Sequence, residues 1–291
     1  MGLLVCVLAS VAVPAMDQPT IAPSSLGDHP QITSGSLLIV GGGNVGQEIW
    51  RSFVEAGRGN SAKVVIVVTA KESPELAGQM EAAALRGAGV NDLTILHTTD
   101  RNLAANDAFL KPLRNATGVW FTGGRQWRLV DAYADTPFVA ECFEVLSRGG
   151  VIGGTSAGAT IQGEYLLRGD PSGNTIVMSP GHEQGFRFLP RTAIDQHFTQ
   201  RDRLADLLSV KQTHPELVCL GIDESTALLV RGTAAKVIGE GTVTILDAPP
   251  DSTPEQLRQT QVLHTGDSYD FRTRQIRAAN SPTPDDTGSR R

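Results

Sequence analysis

Val151-Ile152-Gly153-Gly154-Thr155-Ser156-Ala157-Gly158-Ala159-Thr160 decides how this chain folds and what it can do. A β-branched pair enters the stretch, small residues surround one serine, and a helix-compatible run follows. Gly154-Thr155-Ser156-Ala157-Gly158 fits the G-x-S-x-G pattern of a nucleophile elbow. The pattern has a steric basis. A serine on a sharp strand-to-helix turn holds strained backbone angles, so its neighbours must be small enough for backbones to pass closely. Such a turn lifts the hydroxyl above a sheet and aims the first amides of the helix at a developing oxyanion. A glycine-rich strand-to-helix connection without chemistry would read the same way, and these ten residues alone do not separate the two.

Working outward, strand patterns near 37–40, 64–68, 93–96, 118–121 and 150–153 alternate with helical patterns near 47–55, 74–86, 106–115, 125–134 and 138–148. This alternation predicts an α/β fold: a flavodoxin-like, mostly parallel sheet with helices on both faces. Ligands then bind beyond the carboxyl ends of the strands, where Gly41, Gly123 and Ser156 fall. After Ser156 the character changes. Short apolar runs at 217–222, 227–230, 235–238 and 242–246 are joined by Arg231-Gly232 and Glu240-Gly241. They predict antiparallel hairpins as a C-terminal extension, and 255–271 adds a further strand pair.

A nucleophilic serine needs a base, and the base needs an orienting group. Of six histidines, His197 stands at the end of an apolar approach, in Ala193-Ile194-Asp195-Gln196-His197-Phe198, just before Gln200-Arg201-Asp202-Arg203. That is the profile of a strand end opening into a polar site, although a structural histidine would fit as well. Asp223-Glu224 follows the apolar run 217–222 and could supply the orienting acid, or form a polar turn. The order is serine, histidine, acid. An α/β-hydrolase esterase usually runs serine, acid, histidine, which would require His214 or His264 as base.

A second glycine motif, Gly41-Gly42-Gly43-Asn44-Val45-Gly46, follows the strand at 37–40 and contains G-x-G-x-x-G. It admits a nucleotide-binding module. However, the second strand ends in Thr69-Ala70-Lys71, without the acid that would hold a ribose. A tight first turn near the active site is the reading adopted.

At 291 residues with a net charge of −6, and with no basic stripe of interleaved aromatics, the chain is not built to bind nucleic acid. No H-E-x-x-H and no cysteine pair with ligand spacing occurs, so neither a metal nor another cofactor is expected. Residues 1–16 end in Val13-Pro14-Ala15 and read as a signal segment lacking a basic n-region. Secretion or export to a periplasm is expected, with a cytoplasmic location as the alternative. The run is too short for a stable membrane span. Residues 17–35 read as a linker or lead-in, 36–275 as one α/β domain, and 276–291 as a disordered tail. Removal of Cys6 would leave Cys142 and Cys219, read as two buried thiols rather than a disulfide.

Gly153-Gly154-Thr155-Ser156-Ala157-Gly158-Ala159, Asp195-Gln196-His197-Phe198, Arg201-Asp202-Arg203-Leu204, Gly221-Ile222-Asp223-Glu224-Ser225-Thr226-Ala227 and Phe121-Thr122-Gly123-Gly124-Arg125-Gln126 together resemble the cyanophycinase-like serine peptidases. The resemblance spans about 37–246. It implies a fold like that of class I glutamine amidotransferases. It also implies Ser156 as nucleophile, His197 as base, Glu224 as supporting acid, and hydrolysis of amide bonds beside aspartate. The substrate would be cyanophycin, a poly-aspartate chain with arginine joined through each β-carboxyl, released as β-Asp-Arg dipeptides. Aspartyl or isoaspartyl dipeptides are the alternative. Ala157 with Gly123 or Gly124 would form the oxyanion hole. Gln126, Asp195, Gln196, Arg201 and Arg203 would contact substrate. Arg125 departs from the family pattern, where a small polar or acidic residue is common, and could bind a carboxylate or repel an arginine. Relatives are often dimers, so a homodimer is expected.

Overall fold

The computed structural model describes residues 29–74 and 78–279. Five parallel strands form the centre of a twisted sheet: β1 (Ser36–Val40), β2 (Lys63–Val67), β3 (Asp92–Leu96), β4 (Gly118–Phe121) and β5 (Val151–Thr155). Helices α1 (Gln47–Ala56), α2 (Gln79–Gly87), α3 (Arg101–Ala104), α4 (Asp107–Asn115), α5 (Gln126–Tyr133) and α6 (Pro137–Ser147) lie between them in the chain. The short α7 (Ala157–Thr160) follows β5. Helix α1 packs through Ile49, Trp50, Phe53 and Val54, one face of a 3.6-residue period. That face and Leu85 of α2 cover Leu38, Val40, Val64, Ile66 and Trp120. The opposite side chains of the same strands, Leu37, Ile39, Val65, Val67 and Val119, meet Leu110, Leu129, Phe138 and Val145. Alternation along each strand thus supplies two cores, with helices on both faces.

Beyond Ser156 the chain builds β6 (Gly163–Tyr165), β7 (Leu189–Gln196), α8 (Leu204–Thr213), β8 (Val218–Ile222), β9 (Thr226–Arg231), β10 (Ala234–Gly239), β11 (Val243–Leu246), α9 (Pro254–Leu257), β12 (Gln261–Leu263), β13 (Ser268–Asp270) and β14 (Gln275–Arg277). These strands divide between two sheets. The first has the order β14-β13-β10-β9-β1-β5-β4-β2-β3, and the second β12-β11-β8-β7-β6. In the second sheet Ile194, Leu220 and Ile222 face the main core, while Ala193 and Cys219 face Leu207 and Val210 of α8.

Several expectations are corrected here. The turn at Gly232 joins the hairpin β9–β10 as read, but Glu240-Gly241 carries the chain from the first sheet to the second, where β11 pairs with β8. β12 and β13 do not pair with each other, because β12 adds to β11 and β13 to β10. Residues 276 and 277 belong to strand β14, paired with β13, rather than to a tail. In the lead-in, Ile32 is buried and its N–H bonds the Gly232 carbonyl, so this part packs onto the fold. The expected signal segment, Cys6, the rest of the lead-in up to residue 28, and residues 280–291 lie outside the described residues. Cys142 and Cys219 are both buried free thiols. Among the described residues, no helix is long and apolar enough to cross a membrane.

Register converges the loops on one point. Val40 is opposite Thr155, and Phe121 is opposite Gly154, so the turns after β1, β4 and β5 emerge side by side. In the second sheet Gln196 is opposite Ile222, which places His197 and Asp223-Glu224 just beyond two adjacent parallel strands.

Candidate active site

Ser156 sits at φ 54° and ψ −113°, a conformation that costs a non-glycine residue free energy. The surroundings hold it there. Its N–H donates to the Val40 carbonyl, and its own carbonyl accepts from Ala159 and Thr160. The small neighbours are required: an added Cβ would lie 2.3 Å from the Gly158 carbonyl oxygen at Gly154, and 2.1 Å from the Phe121 carbonyl oxygen at Gly158. This is the strained strand-to-helix geometry of a nucleophile elbow.

Ser156 Oγ lies 3.0 Å from His197 Nε2, and His197 Nδ1 lies 2.5 Å from Glu224 Oε1. A carboxylate on Nδ1 fixes the tautomer, so that Nδ1–H donates and Nε2 is left to accept the serine proton. Burial is the largest influence on His197 and pushes its pKa below the usual histidine value. Glu224 opposes that shift, and the positive charges of Arg201 and Arg203 add to it. The imidazole is therefore neutral at neutral pH, the state a general base needs.

Asp223 and Glu224 have different tasks. Asp223 accepts from the Thr199 N–H and hydroxyl through one oxygen, and from the Thr242 N–H and hydroxyl through the other. Burial raises its pKa, but these four bonds outweigh it and hold the carboxyl below the usual range. Asp223 thereby ties the turn after His197 to the start of β11. Glu224 is left free to meet the imidazole, with its N–H taken by Gln200.

The Gly41–Gly43 turn belongs to this constellation. The His197 N–H donates to the Gly41 carbonyl at 2.7 Å, and the Ser225 N–H to the Gly42 carbonyl. Gly42 has φ 113°, and a Cβ there would stand 2.3 Å from His197 Cε1; at Gly43 a Cβ would meet Glu224. The backbone approaches the triad so closely that only glycine fits. That accounts for the motif without a nucleotide.

Asp195 and Arg203 are placed beneath the site rather than in it, which corrects their expected contact with substrate. The Asp195 carboxylate, fully buried, accepts from Arg168 Nε at 3.2 Å, Arg168 Nη2 at 3.0 Å, Arg203 Nη1 at 2.7 Å and the Gln196 N–H at 3.1 Å. Fully buried beneath these donors, the carboxylate has no face open to a ligand. Arg203 also bonds the Gln196 carbonyl, and Arg168 reaches Asp206 of α8 at 2.7 Å. Two guanidiniums and two carboxylates thus form a charge-neutral cluster under β7. Arg168 is the residue that sequence reading missed. It is buried, with φ 58°, and lies in a glycine-rich connection that carries no periodic signal.

Gln196 stays at the surface of the site, with Oε1 3.5 Å from Ser156 Oγ. Gly123 faces the nucleophile, since a Cβ on it would be 3.2 Å from Ser156 Cβ. The N–H groups of Gly123 and Gly124 donate to no acceptor among the described residues. Gln126 is buried, and its Nε2 donates to the Leu167 carbonyl at 2.6 Å, while Arg125 Nη2 donates to the Asp170 carbonyl at 2.5 Å. Both hold the connection between β6 and β7 against the rim. Arg201 is exposed in the short turn after His197.

The alternative bases are engaged elsewhere. His214 packs against Tyr165 with the rings tilted by 41°, and the His264 N–H bonds Asp267 in the turn between β12 and β13. Among the described residues, no group of three or more His, Cys, Asp or Glu side chains could hold a metal.

The family model for peptidase family S51 matches residues 32–238. A cyanophycinase of Geminocystis herdmanii (strain PCC 6308) is 32% identical over 265 residues, covering 84% of this chain and 97% of that protein. A cyanophycinase of Trichormus variabilis (strain ATCC 29413 / PCC 7937) is 33% identical over 244 residues, covering 81% and 80%. Among solved structures, a peptidase from an acI-B1 Actinobacterium superimposes with a TM-score of 0.63 at 25% identity, covering 82% of this chain and 97% of that one. A putative peptidase E protein from Listeria monocytogenes EGD-e matches with a TM-score of 0.53 at 16% identity, over 71% of this chain and 98% of that one, a likeness of fold.

Proposed function

The chain belongs to peptidase family S51 and is a serine-type peptidase of the cyanophycinase-like kind, and on that premise we propose that it hydrolyses amide bonds next to aspartate, with cyanophycin as substrate and β-Asp-Arg as product. The observation that carries the mechanism is the relay Ser156–His197–Glu224, at 3.0 and 2.5 Å. The substrate rests on the cyanophycinases matched over more than four fifths of this chain.

His197 Nε2 takes the Ser156 proton as Oγ attacks the amide carbonyl, and Glu224 stabilises the imidazolium that forms. The carbonyl oxygen becomes an oxyanion between the Ala157 N–H, at the start of α7, and the N–H of Gly123 or Gly124. Each such donor is worth about 10²–10³ in turnover. His197 returns its proton to the departing amine. A water molecule, deprotonated by the same imidazole, then releases the aspartyl carboxylate and restores the serine. The strained Ser156 backbone keeps Oγ in line with Nε2, so little reorganisation precedes attack.

The pH profile tests this scheme. Because burial depresses the His197 pKa, the base stays neutral below the ordinary histidine value of about 6.5. For hydrolysis of a β-aspartyl peptide, kcat/KM is expected to hold as pH falls to that value and to be lost only at lower pH. Arg201→Gln removes a positive charge beside the imidazole and should move this acid limb upward. An acid limb above about 6.5 in the wild-type protein contradicts a buried neutral base.

A further inference from the structure

Lys63, Arg114, Arg168, Arg187, Arg203 and Arg274 form ion pairs with carboxylates, while many other cations, Arg51, Arg201 and Lys236 among them, form none among the described residues. Lys71, Arg125 and Arg128, on the segments that follow β2 and β4, form none among the described residues. Their polar contacts are with main-chain oxygens. Arg125 N donates to the Ala70 carbonyl, Arg125 Nη2 to the Asp170 carbonyl, and Arg128 Nη1 to the Lys71 carbonyl. No side chain caps α5, which starts at Gln126, so the positive end of the helix opens beside Arg125. Arg125 Nε is buried without an acceptor, as is Arg128 Nε.

The position of Arg125 gives this excess charge a use. Gly123, two residues earlier, faces the nucleophile, since a Cβ added to it would lie 3.8 Å from Ser156 Oγ. The Arg125 side chain reaches the Asp170 carbonyl in the β6–β7 connection through Nη2. We propose that Arg125 binds a free carboxylate of the substrate, the α-carboxylate that an arginine keeps when its amino group is joined to an aspartate side chain. This rests on the aspartyl-peptide reading above and adds the group that confers selectivity. With Nη2 anchored and Nε buried, Nη1 is the donor left for a carboxylate, and the anchor pre-aims it for one charge-assisted hydrogen bond. Lys71, Arg128 and the helix end reinforce the attraction. The same field repels the substrate's own guanidinium, which must therefore point away from this rim.

The test pairs a substrate change with a protein change. Two oligomers are compared: a trimer of β-Asp-Arg units joined through the aspartate backbone, and the same trimer with every arginine carboxylate converted to a carboxamide. Wild type is expected to lose about tenfold to a hundredfold in kcat/KM on amidation, the worth of one charge-assisted hydrogen bond. Arg125→Gln is expected to treat the two oligomers within about threefold of each other. Arg125→Lys, which keeps the charge, is expected to retain most of the discrimination. This variant distinguishes lost recognition from a damaged fold. Equal discrimination by wild type and Arg125→Gln overturns the proposal, as does a wild type indifferent to amidation. Failure of wild type to cleave either oligomer contradicts the aspartyl-peptidase reading itself and removes this inference with it.

Discussion

Ser156→Ala is expected to lose about 10⁶-fold in kcat while melting at nearly the wild-type temperature. The oxygen removed is the nucleophile placed 3.0 Å from His197 Nε2, whereas the elbow is held by backbone bonds to Val40, Ala159 and Thr160 that alanine keeps. Alanine must still adopt φ 54°, so a small loss of stability is expected with the loss of rate. The double variant Ser156→Ala/His197→Ala should be hardly slower than Ser156→Ala alone, because an imidazole without a hydroxyl to activate has no further role. Single-turnover and steady-state rates on one β-aspartyl substrate measure both effects. A double variant far slower than either single would mean that His197 acts independently of Ser156.

The second large effect is on stability. Asp195→Asn is expected to cost about 3–5 kcal/mol, the usual consequence of breaking a buried ion pair from one side. The carboxylate accepts four hydrogen bonds, three of them from Arg168 and Arg203, so its neutral replacement leaves two buried guanidiniums short of charge. For a chain of this length the melting temperature should fall by roughly 10 °C. Activity should fall with it, since Gln196 and His197 directly follow Asp195 on β7 and depend on its anchoring. Combining Asp195→Asn with Arg168→Met should cost less than the sum of the two, because the second change removes a cation that the first left unpaired. Additive costs would show that the cluster is not a unit.

The first half of the fold was legible because each strand from β1 to β4 is a short apolar run followed by an amphipathic helix, and periodicity reports that directly. The grouping of Ser156, His197 and Glu224 was legible because each follows the end of a strand, and ordered motifs carry that information. The division into two sheets was not. β8, β9, β10 and β11 are similar apolar runs, and what distributes them is tertiary: Asp223-Glu224-Ser225 crosses from the second sheet to the first, and Glu240-Gly241 crosses back. The same limit explains Asp195, Arg203 and Arg168. Motif matching brings the first two near the base but is silent on which way they face. Arg168 pairs with Asp195 across 27 positions of sequence, a contact made only once β7 is in place. The Gly41–Gly46 motif shows the converse. A cofactor pattern was present, and two of its glycines, Gly42 and Gly43, leave the space that His197 and Glu224 occupy.

The central claim is that Ser156 cleaves amide bonds beside aspartate, and mass spectrometry of soluble products released from purified cyanophycin tests it most directly. Wild type is expected to release β-Asp-Arg dipeptides, and Ser156→Ala, folded to the same extent, none. Intact polymer after prolonged incubation with wild type, or the same dipeptides released by Ser156→Ala, would contradict the account.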